Sequence, residues 1–275
     1  MDAFAAIAAV AWGVTKIAGN DSAPPPTTQS TAPAKPVARI VFPEGFTRKD
    51  MANRITAVDE IAKTKRGITP KLSKKAYLAA SIRGPVPADF KGQKMPNLEG
   101  FLFPATYDFT EDTTSKELVG DQLEAFDRNW SQIDLKYAKS KNLTEYDVLT
   151  IASMIEKEVQ VPKERPLVAA VIYNRLHLDM PLGIDATIRY GLNIPPTQAI
   201  LQSQLETPSP YNTRCCPGIP PTPIGNPGLA SMQAAAHPAK VDYLYFVRKA
   251  DCKSHFFTAS LDEFNNYPRG GLDCG

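Results

Sequence analysis

Apolar residues recur at helical spacing in TEYDVLTIASMIEKEV, residues 144 to 159. On a wheel of roughly 100° per residue, Val148, Ile151, Ala152, Ile155 and Val159 make one stripe, and Thr150, Ser153 and Lys157 the opposite one. Thr144 followed by Asp147 has the capping-box spacing and Pro162 stops the run, so the pattern predicts a helix from about 145 to 159 with one face on a core. Glu158 projects beside Ile151 and Glu156 beside Leu149, on the two flanks of the stripe and about 200° apart. A carboxyl group against apolar surroundings has its charged form disfavoured, which suits it to donate a proton near neutral pH. The competing expectation is that both glutamates cap or pair with bases such as Arg165 and Arg175.

The same patterning outlines the rest of the chain. ARIVF at 38 to 42 alternates as a strand. Thr47 then caps a helix carrying Met51, Ile55 and Val58, and a second helix with Ala76, Tyr77 and Ala80 follows Ser73. One strand with two short helices makes a small α+β unit of the binding-module kind. LEGFLFPATYDF at 98 to 109 reads as extended and aromatic-rich, and 115 to 133 as an amphipathic helix through Leu118, Leu123, Phe126 and Trp130. These aromatics suit stacking on sugars, but core packing is the stronger expectation. Pro166 opens another helix, apolar through Val168, Ala169, Ile172 and Leu176. MPLGIDATIRYGL reads as a loop holding Asp185, and the proline-rich stretch from 209 to 240 as a long loop of the kind that carries function. YLYFVR at 243 to 248 and SHFFTA at 254 to 259 read as paired strands, with a helical tail from Leu261. Polar loops around one helix-borne acid outline an extended cleft rather than a small-molecule pocket.

Residues 3 to 19 are apolar apart from Thr15 and Lys16, at the lower edge of a membrane span and without the basic lead-in of a signal peptide. The segment reads as the far part of a signal-anchor whose cytoplasmic flank is missing or mis-started; a buried helix is the alternative. The Pro, Thr, Ser and Ala-rich stretch behind it behaves as an extended spacer.

With 43% hydrophobic residues in 275, the chain has enough apolar surface for one sizeable core or two smaller ones. A net charge of +2 argues for no nucleic-acid partner. There is no zinc-like Cys/His spacing, phosphate-binding glycine loop or dinucleotide fingerprint, so neither a metal nor another cofactor is expected. His177, His237 and His255 are scattered and read as structural or surface residues. Cys215, Cys216, Cys252 and Cys274 hint by their even count at an oxidising, exported setting. Cys252 with Cys274, either of them with Cys215 or Cys216, and four free thiols all remain open.

Ordered blocks resemble a known family. PEGFT (43 to 47), LEGFLFPATY (98 to 107), IASMIEKEV (151 to 159), ERPLVAAVIYNRL (164 to 176), MPLGIDATIRYGL (180 to 192), SPYNT (209 to 213), GIPPTPIGNPGLAS (218 to 231) and HPAKVDYLYFV (237 to 247) are similar to those of the YceG-like endolytic murein transglycosylases. The resemblance covers nearly everything from 38 to 267. It implies an α+β chain with a transmembrane anchor at 1–20, a linker at 21–37, a LysM-like subdomain at 38–95 and a mixed α/β catalytic domain at 96–275. It also implies a bacterial, single-pass inner-membrane enzyme with its catalytic domain outside the cytoplasm. Its partners would be peptidoglycan glycan strands and the inner membrane, with peptidoglycan synthases as further candidates.

The family's catalytic glutamate, the second of the E-K-E motif, matches Glu158. Its aspartate before a Pro-Thr pair matches Asp185, although Ala186 stands where proline is usual. Tyr211, Asn212, Thr213 and Asn226 match its polar loop positions and, with Asp185 and Glu156, are the expected substrate-binding residues. The cysteines after Arg214 depart from the family pattern. The chemistry implied is cleavage of the MurNAc–GlcNAc linkage with formation of a 1,6-anhydroMurNAc end. One carboxyl group gives its proton to the glycosidic oxygen and then takes the proton of the 6-hydroxyl as that oxygen closes on C1. Two alternatives stand beside it: a hydrolytic muramidase, with Asp185 as the second carboxylate such an enzyme needs, and a non-catalytic peptidoglycan-binding protein.

Overall fold

The computed structural model describes residues 37 to 268. The apolar segment, the spacer up to residue 36 and Cys274 lie outside the described residues. Among the described residues, no helix is long and apolar enough to cross a membrane.

The described part opens on strand β1, Ala38–Val41, followed by helices α1, Arg48–Arg66, and α2, Lys74–Ala80. β1 pairs antiparallel with β2, Thr106–Phe109, with Ile40 opposite Tyr107. Ala38, Ile40, Tyr107 and Phe109 face inward, while Arg39 meets Asp108 at 3.0 Å on the outer face. Two strands far apart in sequence thus share one apolar side, as the period of two requires. α1 is closed at both ends as its sequence predicts. The Thr47 hydroxyl accepts from the Asp50 N–H and the Asp50 carboxylate from the Thr47 N–H, and Gly67 ends the helix in the left-handed region at φ 64°.

α3, Ser115–Trp130, buries Leu118, Leu123, Phe126 and Trp130. The rings of Phe101 and Trp130 lie 4.8 Å from Phe90, and Phe101 lies 5.0 Å from Phe126, so the aromatic blocks are core. After the short α4, Lys136–Ser140, comes α5, Glu145–Glu158, whose capping box at Thr144 and Asp147 is formed.

One expectation for α5 is overturned. Thr150 and Ser153 do not face solvent; they are 1% and 0% exposed. Loop residues pack over that side, and each hydroxyl finds an acceptor in its own helix, Thr150 on the Tyr146 carbonyl and Ser153 on the Thr150 carbonyl. Ser153 also accepts the N–H of Ile224 at 3.0 Å, which fastens the 224–228 turn to the helix. Only the first and last turns of α5 reach a surface.

α6, Arg165–His177, buries Val168, Ala169 and Ile172 against it. Two stretches expected as loops contain helix. Asp185 opens α7, Asp185–Leu192: its acid suits the helix N-terminus, and burial of Thr187 and Ile188 outweighs the low helix propensity of these β-branched residues. After α8, Gln202–Leu205, the alanine run LASMQAAA forms α9, Leu229–Ala236, inside the proline-rich stretch, and packs on α5. β3, Tyr245–Arg248, and β4, His255–Thr258, pair antiparallel as expected, and α10, Leu261–Asn266, follows. The mixed helices and two-stranded sheets make the described part α+β.

The turn at 43–46 and the turn at 224–228 are zipped together. Gly45 N–H donates to the Asn226 carbonyl at 2.8 Å, and Asn226 N–H to the Phe46 carbonyl at 2.9 Å. A Cβ on Gly225 would lie 2.7 Å from the Gly45 carbonyl oxygen, so only glycine allows this approach.

Candidate active site

The last three residues of α5 point in three directions, as a 100° step demands. Glu156 faces Arg165, with 3.6 Å between them, and accepts the Gly228 N–H at 3.0 Å, so it closes the first turn of α9. Glu44 joins the same arginine at 3.8 Å, and burial beside Glu156 raises its carboxyl above the ordinary range. Lys157 runs over Gly45 and Gly225 toward Glu99.

Glu158 is turned to α7. It is partly buried, and loss of hydration pushes its carboxyl up to about 7. The negative charge of Asp185 adds to the rise, while Arg248, the Ala186 N–H and Arg214 draw it back. The Ala186 N–H donates directly to this carboxyl group. Of the two bases expected to pair with the glutamates, Arg165 does meet Glu156. Arg175 instead donates to the carbonyls of Pro181, Leu182 and Leu244.

Asp185 is held by Arg214 through two guanidinium nitrogens, at 2.6 and 2.5 Å. Thr213 fastens this loop to α7: its hydroxyl accepts the Ile184 N–H at 3.0 Å and meets the Thr187 hydroxyl at 3.0 Å, and its carbonyl accepts the Gly183 N–H. Asn212 is 2% exposed and donates to the carbonyls of Leu205 and Thr207. Tyr211 packs on Tyr190 at 5.4 Å and shares a hydrogen bond with Thr222. The structure therefore brings Glu158, Asp185 and the 211–214 loop together. Asn226 and Glu156 stand on the far side of the helix end. The Asn226 amide accepts from Gly100 and Leu102 and donates to the Phe46 carbonyl and to Glu99.

Beside Glu158, and sharing Ala186 with it, lies a cavity of about 820 Å³ lined among others by Lys49, Glu99, Lys157, Arg189, Tyr190 and Tyr211. Glu158 borders this cavity through Ala186 and is not part of its wall. Sequence reasoning missed Glu99. It is 5% exposed, accepts from the Arg48 N–H, the Tyr190 hydroxyl and the Asn226 amide, and is pushed up to about 7, chiefly by burial. The signal available was an acid inside the apolar run LEGFLF, where an unpaired charge has no place.

Among the described residues no group of three or more His, Cys, Asp or Glu is assembled that could hold a metal ion. His255 is buried against Glu164, with its Nδ1 2.8 Å from the carboxylate, and ties β4 to the start of α6. Cys215 and Cys216 are free and exposed, and Cys252 is disulfide-bonded.

The YceG-like family model matches residues 18–269. The chain belongs to the YceG-like family. It is 35% identical over 232 residues to an endolytic murein transglycosylase of Bacillus subtilis, covering 82% of this chain and 63% of that relative. It is 34% identical over 233 residues to an endolytic murein transglycosylase of Streptococcus pneumoniae, covering 78% of this chain and 41% of that relative. The chain thus spans less than two thirds of the length of these curated relatives. Its fold is similar to the crystal structure of a yceG-like protein from Listeria monocytogenes, with a TM-score of 0.71 at 32% identity over 84% of this chain and 76% of that one.

Proposed function

We propose that this YceG-like chain is an endolytic peptidoglycan lytic transglycosylase that cuts the MurNAc–GlcNAc bond and leaves a 1,6-anhydroMurNAc end. One observation carries the reading: Glu158 sits at the close of a buried helix with its carboxyl raised to about 7, so near neutral pH it holds a proton to give and, once ionised, is a base to take one back. Asp185 is clamped by Arg214 and serves as a charge beside the acid. The hydrolytic alternative needs a second carboxylate to attack C1 or to activate water; Asp185 would be that group, and the products decide between the two. Asp185 and Tyr211 line the cleft for the strand; Thr213, Asn212, Asn226 and Glu156 hold the loops that shape it. The proposal extends to the membrane-anchored, extracytoplasmic placement of the chain, to a LysM-like role for residues 38–95, and to peptidoglycan synthases as partners, on the strength of the sequence blocks and the apolar segment at 3 to 19.

The test is a digest of purified sacculi with wild-type chain and two variants, read by mass spectrometry. Anhydro ends without added water are expected from the wild type. Glu158→Gln keeps shape but supplies no proton, so its rate should fall by about 10²- to 10⁴-fold while strand binding remains, and Glu156→Gln should cost far less. Products one water heavier would make the chain a muramidase, and strand binding without any turnover would make it a scaffold.

A further inference from the structure

Cys215 and Cys216 are neighbours in sequence, both exposed, with their sulfur atoms 2.7 Å apart. They lie in the loop whose preceding residue, Arg214, reaches Asp185 beside Glu158. We propose that Cys215 and Cys216 form a reversible thiol–disulfide site, closed by an external disulfide and opened by thiols, and that its closure moves Arg214 off Asp185. The site itself follows from the pair's geometry; its bearing on catalysis rests on the reading of Glu158 as the acid.

The chemistry balances without any group from the rest of the chain. Cys215, its proton lost to solvent, attacks one sulfur of an external disulfide and displaces the first thiolate. Cys216 then loses its proton and attacks the Cys215 sulfur of that mixed disulfide, displacing the second thiolate. The pair gives up two electrons and two protons, and the external disulfide becomes two thiols. The hydrogen bond with Cys215 pushes the Cys216 thiol up, so the second attack quickens as pH rises and more of this thiol is ionised.

Adjacent residues hold their Cα atoms about 3.8 Å apart, closer than the roughly 4.4–6.8 Å that ordinary disulfides span. A bond closed between them is strained and easily reduced, as labile disulfides are. It would be a switchable bond, unlike one that staples a fold.

The open form is organised on Asn212, which the carbonyls of Leu205 and Thr207 hold rigid. The Arg214 N–H donates to its side-chain oxygen at 3.1 Å, and the Cys215 N–H and thiol both donate to its carbonyl, at 3.4 and 3.2 Å. Ring closure takes away the thiol proton and turns the 215–216 peptide. Because Asn212 and Thr213 are buried and fixed, residues 214 to 216 absorb the turn, and the guanidinium of Arg214 leaves Asp185. Asp185 raises the Glu158 carboxyl and Arg214 lowers it, so the closed form holds the Glu158 proton to higher pH.

The experiment equilibrates the full chain with oxidised glutathione, alkylates it, and maps the peptide spanning 215 and 216. It should be lighter by two hydrogen atoms and unalkylated, and mild dithiothreitol that spares the Cys252 disulfide should restore two alkylatable thiols. Two thiols that stay alkylatable, or glutathione adducts alone, would overturn the site. In parallel, the protonated-carboxyl infrared band absent from Glu158→Gln is titrated in both states. Its midpoint should rise by roughly half a unit on closure, and the Cys215→Ser/Cys216→Ser double variant should show no such rise. A midpoint unmoved by ring closure would overturn the coupling. Neither readout uses glycan cleavage, so a chain that forms the ring, shifts its titration and cuts no strand would refute the transglycosylase reading alone.

Discussion

At the scale of single residues, Ala186 has more chemistry than its side chain suggests. Its N–H donates to Glu158 and stabilises the ionised form, and proline at this position would have no N–H to donate. Ala186 sits in the first turn of α7, where proline is tolerated, so Ala186→Pro should fold. The acid must be protonated to act, so activity falls as pH rises through its pKa. Removing the donor raises that pKa further, and the alkaline limb of strand cleavage should move up by about a unit in Ala186→Pro. A pH–rate profile beside a circular-dichroism check on folding decides it; an unmoved limb would remove Ala186 from the account. Periodicity placed the two glutamates on opposite flanks of α5 without ranking them. The ranking depends on what covers each flank, α9 for one and α7 for the other, and both were hidden in stretches that read as loops.

At the scale of elements, α5 is the frame on which the rest is hung. Its apolar stripe, its cap and its end were all legible, because capping and periodicity are local. The burial of its Thr150 and Ser153 side was not, because the residues covering it come from a turn some 70 positions away, joined by one hydrogen bond from Ile224 to Ser153. That bond is testable. Ser153→Ala leaves the Ile224 N–H buried without a partner, at a cost of about 1–3 kcal/mol. Thermal melting should report a drop of roughly 2–4 °C per kcal/mol for a chain of this size. A melting point equal to wild type would mean that another acceptor takes over the N–H. α7 and α9 escaped sequence reading for related reasons: proline and glycine neighbours masked one, and the other is a short helix whose buried face, Thr187 and Ile188, needs tertiary partners to form.

At the scale of the whole molecule, Glu99 joins parts of the described chain that are far apart in sequence. It takes the first N–H of α1, the hydroxyl of Tyr190 on α7 and the amide of Asn226 in the turn before α9. Its folded pKa, about 7, lies above the ordinary carboxyl value of 4.5, so the folded state binds the proton more tightly than the unfolded one. The stability this contributes is present below the unfolded value and is lost as pH rises through about 7. Unfolding free energy of the wild type, measured against Glu99→Gln, should therefore fall by about 1–3 kcal/mol between pH 5 and 8. A difference that stays flat across that range would show that Glu99 is ionised throughout. The α+β class and the order of most elements followed from the sequence pattern. The knot of contacts around Glu99 did not, since it unites blocks near residues 48, 99, 190 and 226 that no local rule connects.

The three-way divergence at the end of α5 also limits how this protein can change over generations. A single-residue deletion anywhere between Thr144 and Glu156 would turn the helix end by roughly 100°, putting Lys157 where Glu156 meets the first turn of α9 and Val159 where the carboxyl at α7 belongs. Length variation in that stretch is thus barred by geometry rather than by the identity of any one side chain. The exposed loop at 214–216, which lies outside that frame, is free to take up novelties such as a pair of adjacent cysteines.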